Sequence, residues 1–104
     1  MIVREWRART TRARAAEYPR HFRKVVVPKI RKIPGFKGAL LIRRQGGEWV
    51  EFVVMTRWAS MEAVSAFAGT DTEQASLEPG ARAALTEFDR TVKHYEVLEE
   101  IDAG

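Results

Sequence analysis

An α+β domain in the order β-α-β-β-α-β, built around an antiparallel sheet, is the fold class this chain predicts, and three observations predict it. Two β-rich runs, residues 36–44 and 49–58, flank Gly46-Gly47, and a pair of residues tolerant of φ > 0 is a strong short-range hairpin signal. Before the hairpin, Ala15, Tyr18, Phe22, Val25 and Val26 recur at i, i+3, i+7, i+10 and i+11, the stripe of an amphipathic helix. After it come two further helical patterns and a closing run, 91–98, that alternates weakly.

Taken in order, Ile2–Ala8 reads as the first strand, with Ile2, Trp6 and Ala8 on one face and Val3 on the other. Thr10 or Thr11 is placed to cap the first helix. Pro19 predicts a kink inside that helix, and Pro28 its end. Ile33-Pro34-Gly35 is a turn into the hairpin. Ser60 is the N-cap of the next helix, Glu62 lies in its favourable first turn, and Met61, Val64, Phe67 and Ala68 form its apolar face. Gly69 stops it. Asp71 and Gln74 mark a further capped turn, and Pro79 opens a last helix carrying Ala81, Ala84, Leu85 and Phe88 inward. Thr91–Leu98 is the final strand. The order is that of the ferredoxin-like split βαβ arrangement. Residues 1–98 are expected to form one domain and 99–104 a polar tail that frays.

The hairpin also bears on assembly. Centring the turn on Gly46-Gly47 sets Gln45 opposite Glu48 and Leu41 opposite Phe52. One face then carries Gly38, Leu40, Ile42, Val53 and Met55, the other Ala39, Leu41, Val50, Phe52, Val54 and Trp58. A sheet with one wet face alternates apolar and polar residues; this one is apolar on both. A chain of 104 residues has helices enough to cover only one, so a homodimer is expected.

Composition narrows the chemistry. With 45% hydrophobic and 31% charged residues the chain is an ordinary globular one. It has no cysteine, which excludes disulfides, thiolate nucleophiles, Fe–S clusters and cysteine zinc sites. No apolar run approaches the roughly 18 residues of a membrane span, so a cytoplasmic protein with no membrane contact is expected. Residues 1–44 hold 14 Lys/Arg against Glu5 and Glu17, whereas residues 45–104 hold 4 against 12 Asp/Glu. No nucleic-acid motif accompanies the basic half, which reads as a solvated face.

Several pieces in order resemble the antibiotic biosynthesis monooxygenase domain family. They are Ile2–Arg7, Ile33–Phe36, the run Glu51-Phe52 through Thr56-Arg57-Trp58-Ala59-Ser60-Met61-Glu62-Ala63, then Phe67-Ala68-Gly69, and His94-Tyr95-Glu96-Val97. Trp-x-Ser-x-Glu-Ala at a strand-to-helix junction is the most specific of them. The resemblance implies a dimeric α/β barrel, in which the sheet of a ferredoxin-like protomer packs against its partner's. It also implies, for some members, cofactor-free oxidation of aromatic substrates by O₂, and for others haem degradation. Haem degraders need a histidine on the helical stretch after the Trp strand and an asparagine on the first strand. Here Asp71–Phe88 contains no His, and Trp6 stands near the asparagine position, so neither metal nor other cofactor is expected.

Trp58, Trp6, Tyr18, Phe22 and Phe52 are the candidate walls of a pocket for a small planar aromatic. The same residues also suit a solid core. His94, on the last strand, is the acid/base candidate, since imidazole exchanges protons near neutrality; it suits a structural role equally. His21 is expected to face solvent. Arg4, Arg43 and Arg57 are free to bind an acidic group or to pair across a dimer. Three function classes stay open: a cofactor-free monooxygenase, a non-catalytic binding barrel, and a nucleic-acid binder acting through the basic half.

Overall fold

The computed structural model describes residues 1–104 except 76 and 78. Its strands are β1 (Ile2–Thr11), β2 (Phe36–Gly46), β3 (Trp49–Trp58), β4 (Glu87–Phe88) and β5 (Lys93–Glu96). Helix α1 is composite, with Glu17–His21 α-helical, Phe22–Val26 π-helical and Val27–Ile30 α-helical; α2 is Met61–Ala68 and α3 Pro79–Ala84. The sheet runs β2-β3-β1, and both β4 and β5 pair antiparallel with the free edge of β1. This is the α+β, ferredoxin-like antiparallel fold expected, with the sheet open. Among the described residues no helix is long and apolar enough to cross a membrane.

The hairpin forms with its faces as expected but its register displaced. Gly46 pairs with Trp49 and Leu41 with Val54, so the two-residue loop is Gly47-Glu48. Gly47 has φ +71°, and among the described residues none but glycines has positive φ. Left-handed backbone at the first central position alone is the signature of a type II′ turn rather than I′. Gly46 is glycine for a different reason: the Trp49 ring lies where its Cβ would be. A slip of two residues preserves the pleat parity, so Val50, Phe52, Val54 and Trp58 are buried against the helices. Leu40 and Ile42 remain 59% and 47% exposed on the other face. A bulge between Phe36 and Gly38 turns Phe36 back to the helix side.

Several expectations yield to packing. β1 continues to Thr11 against the full length of β3, so Thr10 is buried in the strand and Thr11 caps nothing with its side chain. Pro19 falls in the first turn of α1, where its missing N–H is one of the orphans anyway, and only a 3₁₀ turn, Arg12–Arg14, precedes it. The helix instead passes Pro28 to Ile30, and the disturbance sits one turn earlier. There the Val27 N–H reaches the Phe22 carbonyl, five residues back, the bond of a π-turn. The extra residue rotates the stripe, so Tyr18, Phe22, Val26 and Ile30 face the core while Val25 is exposed.

Downstream, Ser60 caps α2 through its Oγ, 3.3 Å from the Ala63 nitrogen, and Gly69 ends it at φ +86°. Ala63 and Val64 are its buried positions; Met61, expected inward, is exposed. Asp71 and Gln74 close the expected turn, through the Gln74 N–H on the Asp71 carbonyl. Ala81, Ala84 and Leu85 are buried as expected, but Phe88 belongs to β4, opposite Ala8. Thr91 bridges Gln74 rather than opening the last strand, and Leu98 is 86% exposed beyond β5.

The turn assignment is testable. Gly47→Ala should destabilise the protein by about 1–2 kcal/mol through left-handed strain, while Glu48→Ser should leave it within about 0.5 kcal/mol. Urea midpoints of the two variants check this; equal midpoints would contradict a strained position at Gly47.

Candidate functional site

Strand β1 directs Arg4, Trp6, Ala8 and Thr10 into the core, since alternate residues share a face, and all four are buried. Arg4 is only 4% exposed. Its guanidinium donates to the Thr72 carbonyl at 2.6 Å, to the Gln74 carbonyl at 2.9 Å and to His94 Nε2 at 3.0 Å, and lies 5.7 Å from the Phe67 ring centre. Among the described residues no carboxylate pairs with it. Burial lowers its pKa to about 10, which still leaves it a cation at neutral pH.

His94 sits opposite Arg4 in the β1–β5 register. Its pKa is lowered by burial and then by the Arg4 charge, with Glu73 opposing. A guanidinium can only donate, so Nε2 is the acceptor and the ring proton resides on Nδ1. The histidine expected to act as a base thus has its free lone pair occupied by Arg4.

A cavity of about 60 Å³ lies between the sheet and the helices. β1 supplies Arg4 and Trp6, α1 supplies Tyr18, His21, Val26 and Ile30, and β3 supplies Val54 and Thr56. Phe67, Leu77, Ala81 and Val92 close it. Trp6 donates its indole N–H to the Asp89 carbonyl at 2.6 Å, and its ring stands 5.9 Å from that of Tyr18. Burial raises the Tyr18 pKa, so this phenol stays protonated.

Of the expected pocket residues, the structure brings Trp6 and Tyr18 to the cavity wall. Phe52 and Phe22 form the layer behind, their rings 5.6 Å and 6.4 Å from Tyr18. Trp58 is fully buried elsewhere, between Phe36 and Phe67, with its indole N–H on Thr56 Oγ1 at 2.7 Å. It does not line the cavity, nor does His94. Arg57 lies on the open face across Gly38 and pairs with Glu100 at 3.8 Å. His21, expected in solvent, instead lines the cavity with Nε2 buried. Arg4 was expected only as one of three arginines free to bind an acidic group, and His21 was not expected at the site. Strand parity with Trp6 marks the first, and the three-residue step from Tyr18 marks the second.

The family model of antibiotic biosynthesis monooxygenase matches residues 1–79. No curated protein matches the chain in sequence. Among solved structures, the haem degrader MhuD of Mycobacterium tuberculosis, with two haems in its active site, is 24% identical. That match covers 98% of this chain and 100% of MhuD, with a TM-score of 0.65. A Deinococcus radiodurans protein described as an antibiotic biosynthesis monooxygenase is 19% identical over 100% of this chain and 99% of its own, with a TM-score of 0.65. A Bacillus cereus protein of the same description is 17% identical over 100% and 97%, with a TM-score of 0.63. At these identities the likeness is one of fold.

The Arg4–His94 contact has a pH signature. With its pKa lowered by folding, His94 is protonated more readily in the unfolded chain. Its contribution to stability is therefore complete above the ordinary imidazole range near pH 6.5 and is lost as pH falls through the lowered value. His94→Gln, which keeps an acceptor but cannot titrate, should show a smaller drop in melting temperature between pH 7 and pH 5 than the parent. Parallel melting curves would refute the assignment.

Proposed function

Because the chain belongs to the antibiotic biosynthesis monooxygenase family, we propose that it is a cofactor-independent monooxygenase oxidising a small planar phenol- or anthrone-like compound with O₂ in the cavity beneath Trp6 and Tyr18. The observation that carries this reading is a buried guanidinium that no carboxylate among the described residues pairs with, on the wall of an apolar cavity. An unpaired charge is costly to bury, and its placement is explained if it meets an anion formed there. A deprotonated phenol passes one electron to O₂, the radical pair joins to a hydroperoxide, and loss of water leaves a carbonyl. One oxygen atom enters the product, and the other leaves with two substrate hydrogens as water. Arg4 stabilises the phenolate and the reduced oxygen in a water-poor site.

His94 serves in this proposal as a positioning residue that orients Arg4. Phe22, Phe52 and Trp58 are the rigid packing behind the wall. At about 60 Å³ the cavity is less than half the roughly 150 Å³ that admits benzene to an engineered apolar cavity. Ring binding therefore requires the wall at Leu77 and Ala81 to move outward. The same small volume favours a second reading, a non-catalytic barrel that binds a small molecule.

The assembly proposed is a cytoplasmic homodimer, with Leu40, Ile42, Val53 and Met55 of one protomer against the same face of the other. The exposed apolar patch on the open sheet supports it. Sedimentation should give a dimer at micromolar concentration, and Val53→Asp should give an unstable monomer or an unfolded chain. A wild-type monomer at that concentration would end the dimer proposal.

Catalysis is tested by a thermal-shift screen of planar phenols and anthrones followed by oxygen-electrode assays of the compounds that bind. The oxygenase reading expects O₂ uptake without added cofactor, and a loss of about 10²–10³-fold in turnover for Arg4→Met. Binding without O₂ uptake would select the non-catalytic barrel.

A further inference from the structure

Among the described residues, His21 Nε2 is buried and has no hydrogen-bond partner, on a cavity wall that is otherwise apolar except for Arg4, Thr56 and the Tyr18 phenol. Thr56 Oγ1 already accepts from Trp58, and Arg4 has only protons to offer. The imidazole is held in place. Its ring stands 6.0 Å from that of Tyr18, and α3 crosses behind it so closely that a Cβ on Gly80 would lie 2.7 Å from Nδ1. A buried nitrogen without a partner carries a desolvation penalty that a bound hydroxyl group removes.

We propose that His21, through Nε2, is the substrate-contacting acceptor of this cavity and takes the hydroxyl proton of a planar phenol or enol, while Arg4 holds the oxyanion. The inference rests on the cavity being the substrate site. In the step itself the substrate O–H bond breaks and an N–H bond forms at Nε2, giving an oxyanion and an imidazolium; no electron changes hands. The ligand class follows from the chemistry. A hydroxyl compound satisfies both groups, whereas its methyl ether has no proton for His21 and gives Arg4 no anion. Gly80 is the positioning residue, because any side chain there displaces the ring.

The test uses 4-nitrophenol and its methyl ether, 4-nitroanisole, with the full-length protein, at a pH where free 4-nitrophenol is protonated. Binding is read by tryptophan fluorescence, and ionisation by the visible phenolate band. The parent should bind the phenol about tenfold more tightly than the ether and show the phenolate band. His21→Gln, which keeps an acceptor but cannot take the proton, should retain most of that preference and lose the band. His21→Ala and Gly80→Ala should lose both while keeping the parent's near-ultraviolet circular dichroism. A phenolate band persisting in His21→Gln would overturn the proposal, as would an undiminished preference in His21→Ala. Failure of both compounds to bind the parent would instead overturn the cavity as a substrate site and the inference with it. Binding of both compounds equally by the parent would overturn the role of His21 alone.

Discussion

The burial of Arg4 is the constraint on which the site depends. A guanidinium on the inward row of the central strand must be satisfied by fixed acceptors, and the chain provides them from distant segments. The carbonyls of Thr72 and Gln74 come from the turn after α2, and His94 Nε2 comes from the far edge strand. The turn at 71–74 is held in its own right by backbone bonds, Val92 N–H to the Glu73 carbonyl and Ala75 N–H to that of Arg90. That explains why the last strand is broken into β4 and β5: between them the chain leaves β1 to pair with the turn that binds Arg4. By the general rule for buried charges, apolar side chains in place of this network would cost little or nothing in stability, so stability alone does not account for the arrangement.

The sheet supplies the rigidity that makes such a cation useful. β1 pairs with β3 over ten residues without a bulge, so the spacing of Arg4 and Trp6 along the cavity floor is set by the pleat. The helical wall is less regular. The π-turn at Phe22–Val26 rephases α1 so that Tyr18, His21, Val26 and Ile30 all reach the cavity, and the short α3 is pinned by the Arg14 guanidinium on the Ala83 carbonyl. In the proposed reaction a fixed floor and a lighter wall suit a cavity that widens to admit a ring.

Much of this was legible in the sequence, and the failures have physical causes. Strand alternation placed Val50, Phe52, Val54 and Trp58 on the helix side, because parity survives a two-residue slip in register. The slip itself came from reading two glycines as one turn, when Gly46 is small to admit the Trp49 ring. The kink assigned to Pro19 failed because helix propensity rules cannot tell a first turn from an interior until the helix start is known, and Thr10 had suggested a start too early. At the site, aromatic residues drew attention to Trp6 and Tyr18 correctly. They also drew it to Trp58, whose indole is satisfied within the core by Thr56. Arg4 was grouped with Arg43 and Arg57 because all three are strand arginines, and only strand parity with Trp6 separates it from them as the inward one. His21 was hidden by the basic residues around it, although its spacing from Tyr18 put it on the inward stripe.

The most direct measurement is a crystal structure of the protein with 4-nitrophenol bound. The expected result is the ring between Trp6 and Tyr18, its oxygen within hydrogen-bond distance of Arg4 and His21 Nε2, and the wall at Leu77 and Ala81 displaced outward. A cavity still near 60 Å³ and empty, with the phenol bound elsewhere on the molecule, would contradict the assignment of this cavity as the site.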